Sequence, residues 1–340
     1  MIGNGLKWIS LIMGMMIGAG YASGRELWQF FGGESGLAIL LFAVLFIICI
    51  YVILHISYEN QTTHYLPVLE KLVGTRFTKI YDMMLIVYLF SVTAVMIAGG
   101  VAALEMISIP YKSSLFFICA MIIIVFVWDL KGMTSLNSAL MPLLMGCLFA
   151  VLFFFQYKQG FPITFTLQNQ QNWPSAITFT ALNILPILAV LSGIGKEIKS
   201  RGEIWIASIG SGLVVGLLTY LYNESLHLVR EEIFLYEIPL YAIIKHFPPY
   251  MMYVTMFLLW SAIFTTAVTG MFGLISRIKT YVSYPSWMLA LLFVFVMVPF
   301  SMIGFKNLIA FLYPLYGILN LYIISAILLY PLMQKTKISR

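Results

Sequence analysis

Charged residues are scarce in this chain. Of its 340 residues only 9% are Asp, Glu, Lys or Arg, whereas 61% are hydrophobic. Soluble domains carry roughly 25% charged residues, and a soluble fold of this length could not bury so much apolar surface. There are only three cysteines, Cys49, Cys119 and Cys147, which lie in apolar stretches without the spacing of metal ligands. The composition therefore argues against a soluble domain, a disulfide scaffold and a zinc site.

Patterns typical of enzymes and of nucleic-acid binding are also missing. The net charge is +6, but the basic residues are scattered between apolar runs and form no stripe, so we expect no nucleic-acid partner. The sequence contains no nucleophile elbow, no His-Glu-x-x-His helix and no phosphate loop. We therefore expect no enzymatic activity and no cofactor.

Long apolar runs are abundant instead. Each is about 20 residues long, the length of a helix that crosses a hydrocarbon core about 30 Å thick. Residues 238–249 predict an amphipathic lead-in, after which the eighth span begins near Tyr250. The runs predict an all-α integral membrane protein, surrounded by lipid, with ten transmembrane helices at residues 6–31, 37–58, 78–107, 113–130, 134–156, 175–198, 204–223, 239–278, 287–303 and 307–333.

The distribution of Lys and Arg predicts the orientation of these spans. With the N-terminus inside, 13 of the 19 basic residues lie on the inner side and 6 on the outer side. Positive charge is retained on the cytoplasmic face of membrane proteins. We therefore expect both termini in the cytoplasm and the protein in the plasma membrane. A homo-oligomer is compatible with the sequence, which leaves the oligomeric state open.

The first predicted span contains a cluster of glycines. Residues 14–26 include four glycines and end in the adjacent charges Arg25 and Glu26. Each glycine costs about 1 kcal/mol relative to alanine inside a helix. One explanation is close helix packing, since Gly14 and Gly18 form a Gly-x-x-x-Gly face. The other is a discontinuous helix whose free amides and carbonyls contact a solute.

The sixth predicted span repeats part of this pattern. Its residues 186–195 include Pro186 and a Ser-Gly cluster, and a Lys-Glu pair follows, as Arg-Glu follows Ser-Gly in the first span. Similar breaks in corresponding spans of two halves indicate a transporter site. Because each half has five spans, an odd number, we predict two inverted repeats, residues 1–157 and 174–340, with helices 1 and 6 broken.

These features resemble the amino acid, polyamine and organocation superfamily of transporters, which has the LeuT-type five-plus-five inverted repeat. The motif Gly-Ala-Gly-Tyr-Ala-Ser-Gly-Arg-Glu at 18–26, with Trp-Gln-Phe-Phe at 28–31, is similar to the YkvI-type membrane proteins. The span number and the break positions extend the resemblance over nearly the whole chain, whereas the specific motif covers only helix 1. The resemblance implies secondary active transport of an amino-acid-like solute.

The resemblance also implies an ion site. LeuT-like sodium symporters have Gly-x-x-x-Gly-x-Gly in helix 1, which matches residues 14–20. In that case the carbonyls of Gly14 and Ile17 would face a sodium ion, with the hydroxyls of Thr265 and Thr266 on helix 8. These oxygen ligands suit a hard cation. The alternative is that the threonines hydrogen-bond the preceding turn of their own helix.

A solute site follows from the same resemblance. The amides near the helix 1 break would face a carboxylate, because the N-terminus of a half-helix attracts an anion. The predicted solute contacts are Met16, Gly18, Ala19, Gly20, Tyr21, Asn183, Ser192 and Gly193.

Arg25 resembles the outer-gate arginine of these transporters. The acidic partner expected on helix 10 is missing from residues 311–320, so Glu26 or Glu105 is the predicted partner. The alternative is an ordinary solvated pair near the outer interface. Helix 5 lacks the lysine of some proton-coupled relatives, which favours sodium, although Glu26 or Glu105 could carry a proton.

We therefore expect a secondary active transporter that moves a small zwitterionic or amine solute by alternating access, with sodium as the coupling ion. The alternatives are a ligand-sensing receptor subunit similar to spore germinant receptors, a proton-coupled transporter and a channel. The substrate stays open because the predicted contacts are backbone groups and small side chains.

Overall fold

The structure is a computed structural model that describes residues 2–33, 35–127, 133–161, 172–279 and 282–338. Within these residues every regular element is a helix, which confirms the all-helical prediction. The predicted end of span 4 at Leu130 lies outside the described residues. The helices are α1 (Ile2–Met16), α2 (Ala19–Ala22), α3 (Arg25–Phe30), α4 (Gly36–Glu59), α5 (Leu66–Glu105), α6 (Tyr111–Val127), α7 (Met133–Lys158), α8 (Ser175–Leu191), α9 (Arg201–Leu228), α10 (Arg230–Ile233), α11 (Leu240–Ile244), α12 (Pro249–Ile278), α13 (Ser286–Ser301), α14 (Phe305–Leu319) and α15 (Leu321–Ile338), with a 3-10 helix at Ser192–Glu197.

Among the described residues, six helices or helix pairs are long and apolar enough to cross a membrane, and three shorter helices are also apolar. Large apolar side chains such as Phe116 and Phe295 point outwards, 75% and 80% exposed. An apolar outer surface of this kind suits lipid and not water. The chain is therefore a multi-pass membrane protein.

Several helix boundaries follow from single residues. α5 would extend about 60 Å as one straight helix, but Gly74 has φ 80° and breaks the helical geometry just before the predicted start of span 3 at residue 78. The lead-in predicted before span 8 forms the short helix α11, and α12 starts at Pro249, next to the predicted Tyr250. The predicted span 10 is divided at Asn320 into α14 and α15, which the sequence pattern did not indicate.

Glycines allow the central helices to pack closely. On α9, a methyl group added at Gly216 would lie 2.8 Å from the Cβ atom of Ala43, and one added at Gly212 would overlap Ile47. On α12, Gly270 faces Thr93 of α5 in the same way. Small residues that let backbones approach are typical of helix interfaces in membranes, where close packing replaces the hydrophobic effect.

Charged residues distinguish the two ends of the bundle. At one end, which we call the Arg201 end, Lys7 pairs with Glu197 at 3.0 Å and Arg201 pairs with Glu59 at 2.9 Å. The opposite end, where α2 and α3 lie, is called the Arg25 end. α1 and α9 run side by side from the first end towards the second, as the contacts of Gly5 with Ile206 and of Tyr21 with Thr219 show.

Candidate functional site

The first membrane segment is interrupted twice. α1 ends at Met16, Gly18 is extended with φ −79° and ψ 179°, and α2 begins at Ala19. After one turn Gly24 takes the left-handed conformation with φ 78°, and α3 begins at Arg25. Left-handed backbone costs an L-residue about 1–2 kcal/mol, whereas glycine adopts it freely. Gly24 therefore permits a change of chain direction inside the bundle.

The first interruption leaves peptide groups without helical partners. Ile17 still donates its amide to the Met13 carbonyl at 2.9 Å. Among the described hydrogen bonds outside regular helix, none ends on the carbonyl oxygens of residues 14–17. The end of α1 thus presents carbonyl oxygens, which carry partial negative charge and favour cations.

Buried tyrosines fix α2 to the neighbouring helix α9. The hydroxyl of Tyr21 lies 2.8 Å from the hydroxyl of Thr219, and the hydroxyl of Tyr222 donates to the carbonyl of Ala22 at 2.8 Å. The Ser23 hydroxyl donates to the Gly20 carbonyl at 2.8 Å. Because these polar groups are buried, each bond avoids a substantial desolvation cost. The interruption is consequently held in one arrangement and is not a loose turn.

Arg25 is held by a loop and not by an acid on its own helix. Its Nε atom donates to the Glu237 carbonyl at 3.0 Å, and an Nη atom donates to the carbonyls of Glu237 and Tyr236. The Glu237 carboxylate in turn accepts the Lys306 amide at 2.7 Å. Within the described residues no ion pair joins Arg25 to Glu26 or Glu105, the partners predicted from the sequence.

Glu26 lies in the interior, only 7% exposed. Its carboxyl group occupies the space in which a side chain at Gly20 would project. The hydroxyl of Tyr313 on α14 hydrogen-bonds this carboxyl group. Tyr21 and Tyr88 are close enough for the carboxylate to act on them electrostatically. A buried acid therefore lies directly beside the interrupted backbone.

Thr265 and Thr266, the predicted sodium ligands of helix 8, lie on α12, which packs against α2. Their hydroxyls donate to the carbonyl of Ala262, at 3.1 Å from Thr265 and 2.7 Å from Thr266. Both threonines thus hydrogen-bond the preceding turn of their own helix, as the alternative to sodium binding predicted. A hydroxyl that donates its proton in this way is by its chemistry also an acceptor through its oxygen. The structure thus places both threonines on a helix that packs against α2, which begins two residues after Ile17.

The residues of helix 6 that were predicted to contact the solute do not lie together. α8 continues as one helix through Asn183 and Pro186 to Leu191, so the break predicted at 186–195 is not confirmed, and only its end tightens into 3-10 helix. A proline inside a membrane helix is tolerated where neighbouring groups compensate for the missing amide. The Asn183 amide group donates to the Phe179 carbonyl at 2.9 Å, within its own helix.

Ser192 and Gly193 lie at the Arg201 end. The Thr62 hydroxyl donates to the Ser192 carbonyl at 2.6 Å, just beyond the end of α4 at Glu59. By contrast Thr219, which bonds Tyr21, lies about 27 Å along α9 from Arg201 at 1.5 Å per residue. The structure therefore does not bring Ser192 and Gly193 to the interruption, whereas the predicted contacts at residues 16–21 lie together there.

Several neighbours of the interruption were not predicted from the sequence. Tyr88, Tyr222 and Tyr313 come from α5, α9 and α14, and the chain brings them together only through tertiary packing. Tyrosines are also common at membrane interfaces. A single tyrosine in an apolar run therefore does not indicate that it lies beside the interruption.

The chain is similar in sequence to two known proteins. No family model matches the chain. Over 333 residues, 98% of both chains, it is 48% identical to the Bacillus subtilis protein YyaD. It is 24% identical to the Bacillus subtilis membrane protein YkvI over 324 residues, 93% of each chain.

Two solved structures of low sequence identity have a similar fold. MhsT in complex with L-phenylalanine is 17% identical, with a TM-score of 0.62 over 94% of this chain and 88% of that one. A Na+-coupled sialic acid symporter is 13% identical, with a TM-score of 0.51 over 97% of this chain and 86% of the other. At such low identity the likeness establishes the LeuT-type fold.

Proposed function

Since this chain belongs to the family of the Bacillus subtilis proteins YyaD and YkvI and has the LeuT-type fold, we propose that it is a secondary active transporter. Its solute is a small zwitterionic or amine compound of amino-acid size, and sodium is the coupling ion. The observation that carries the proposal is the interruption of the first segment between Met16 and Ala19, where buried backbone groups have no helical partners. Transporters use such interruptions to bind solutes and ions at mid-membrane depth.

The proposed arrangement has ten spans in two inverted halves, residues 1–157 and 174–340, with both termini in the cytoplasm. The long and short apolar helices support this count when α1 to α3 are taken as one span and α14 with α15 as another. In this scheme α1 and α8 begin the two halves. The segment of α1 is interrupted and α8 is continuous, so in this proposal the end of α1 supplies most of the backbone groups that face the solute.

Sodium coupling rests on the elements that surround the interruption. Carbonyls at residues 14–17 and the hydroxyl oxygens of Thr265 and Thr266 are ligands suited to a hard cation. The sialic acid symporter of similar fold is Na+-coupled, which supports the same coupling in this chain.

Both ends of the bundle have contacts that can act as gates. At the Arg25 end, Arg25 binds the loop at Tyr236 and Glu237, and the Leu240 amide donates to the Ser23 carbonyl at 2.9 Å. At the Arg201 end the pairs of Lys7 with Glu197 and of Arg201 with Glu59 are largely solvent-exposed. Exposed ion pairs contribute only about 0–1 kcal/mol. Breaking these pairs would therefore require little energy, whereas opening the Arg25 end must break the charged hydrogen bonds of the buried Arg25.

The direct test is uptake by purified protein in liposomes. An inward sodium gradient should drive accumulation of at least one solute from a panel of amino acids and amines, and an equal potassium gradient should not. A sensor would instead show ligand-dependent thermal stabilisation without flux. A channel would show conductance that does not depend on a coupling ion. Either result with folded protein would contradict the proposal.

A further inference from the structure

Two glutamates are buried in the part of the chain that the structure describes, and they differ in their hydrogen-bond partners. Glu203 accepts bonds from the Asn4 amide group at 3.1 Å, from the Trp8 indole at 3.3 Å and from the Lys199 amide at 3.3 Å. It joins α1 to α9 and has a clear structural role. Glu26 has one hydroxyl partner, Tyr313. This contrast indicates that Glu26 has a role other than joining two helices.

No basic side chain neutralises Glu26 within the described residues. Arg25, its neighbour in sequence, directs its guanidinium group to the carbonyls of Tyr236 and Glu237. An ionised carboxylate without a counter-ion is strongly disfavoured in a low-dielectric interior. Ionisable side chains at such positions in membrane proteins most often belong to solute or ion pathways. Within the described residues Glu26 is therefore satisfied either by a proton on its carboxyl group or by a cation that binds beside it.

The surroundings of Glu26 suit a cation better than an anion. Its carboxyl group lies at Gly20, next to the end of α1, where the carbonyls of residues 14–17 add partial negative charge. A solute carboxylate at the amides of residues 18–20 would be repelled by an ionised Glu26. The side chains of Tyr21, Tyr88 and Tyr313 interact electrostatically with the same carboxyl group.

We propose that Glu26 is the counter-ion of the solute's ammonium group, so that the solute class is a small organic amine. The inference rests on the proposed transport function and narrows its solute. A sodium ion prefers a shell of several oxygen ligands. Sodium would instead occupy the oxygens of α1 and α12.

Matched probes test the assignment by direct binding to the purified full-length protein. The probes are 2-phenylethylamine, phenylalanine and 3-phenylpropionate, with ethylamine, alanine and propionate as a smaller set. We expect at least one amine to raise the thermal unfolding midpoint and the acid of the same skeleton not to. Glu26→Gln should weaken amine binding at least tenfold, and Glu26→Asp should weaken it less. Glu231→Gln, which changes an exposed acid on α10, should bind as the wild type does.

The outcomes separate this assignment from the transport function. If Glu26→Gln binds the amine as the wild type does, or if no amine binds the wild type, Glu26 is not the counter-ion. If Glu26→Gln loses sodium binding but keeps amine binding, the carboxylate is a sodium ligand and the assignment is overturned. Sodium-driven uptake of a carboxylate solute that survives Glu26→Gln would also overturn it, yet would leave the transport function standing. Monodisperse elution of the variant verifies folding in each case.

Discussion

The two membrane segments that carry Ser-Gly clusters behave differently. In the first, Ser23 and Gly24 lie between two short helices, and Gly24 has a positive φ of 78° against the buried Tyr222. In the other, Ser192 and Gly193 form the start of a 3-10 helix at the Arg201 end, and a methyl group at Gly193 would meet only the Thr63 carbonyl at 3.6 Å. Similar short sequences thus give an interrupted segment at one position and a tightened helix end at the other.

The difference follows from where each cluster lies along its helix. A helix end has unpaired carbonyls in any case, and a 3-10 turn satisfies some of them at little cost. An interruption between buried helices leaves peptide groups away from water, which is costly unless side chains or ligands satisfy them. Of the two segments, the first therefore has backbone groups without helical partners inside the bundle, and matched substitutions in the two segments test this contrast.

Gly24→Ala should be the most damaging small substitution of this comparison. The left-handed backbone alone costs about 1–2 kcal/mol for alanine, and the new methyl group would lie 2.8 Å from the Tyr222 hydroxyl, which is fixed by its bond to Ala22. We expect a clearly lower thermal unfolding midpoint in detergent. The matched Gly193→Ala should change stability by less than about 0.5 kcal/mol. Equal losses in the two variants would show that the two clusters are equivalent.

Replacing both Thr265 and Thr266 by valine should weaken the dependence of solute uptake on sodium. Valine keeps the shape but lacks the oxygen, so the half-saturating sodium concentration should rise about tenfold or more, about 1.4 kcal/mol. Thr269→Val is the control, because that hydroxyl donates to the Thr265 carbonyl one turn further along α12 at 2.8 Å. The measurement is solute uptake against sodium concentration. An unchanged sodium response in the double variant would exclude these threonines as ligands.

Tyr21→Phe should have an intermediate effect. It removes the 2.8 Å bond to Thr219 that ties α2 to α9, and interhelical bonds in membranes contribute about 0.6 kcal/mol on average. We expect a small loss of stability and weaker solute binding, since the segment is less firmly held. Thr62→Val removes the comparable bond to the Ser192 carbonyl at the Arg201 end. It should lower stability to a similar extent without weakening solute binding, and a reversed pattern would contradict the proposed site.

The sequence predicted the helical class and the interruption of the first segment because both depend on local composition. Runs of apolar residues determine membrane helices, and four glycines between Gly14 and Gly24 lower the helical preference of that stretch. The division of the last span at Asn320 has no comparable signal, since one asparagine in an apolar run is compatible with a continuous helix.

The missed features depend on contacts between distant parts of the chain. Pro186 suggested a break, yet α8 continues through it, because packing against neighbouring helices outweighs one missing amide bond. The surroundings of Glu26 come from α3, α5 and α14, so no local pattern joins Tyr88 and Tyr313 to it. The sequence also paired Arg25 with Glu26 or Glu105, whereas the loop carbonyls at Tyr236 and Glu237 bind that arginine.

Ser192→Ala should have the smallest effect, and this makes it the sharpest test of the contrast. The Ser192 hydroxyl is buried and has no hydrogen-bond partner within the described residues. Removing an unsatisfied hydroxyl is neutral or slightly stabilising. Solute affinity should also change by less than about twofold, below about 0.4 kcal/mol, because Ser192 lies at the other end of α9 from the interruption. Isothermal titration and thermal unfolding measure the two quantities. A tenfold loss of affinity would mean that Ser192 reaches the solute in another state of the transport cycle, and the two segments would then share one site.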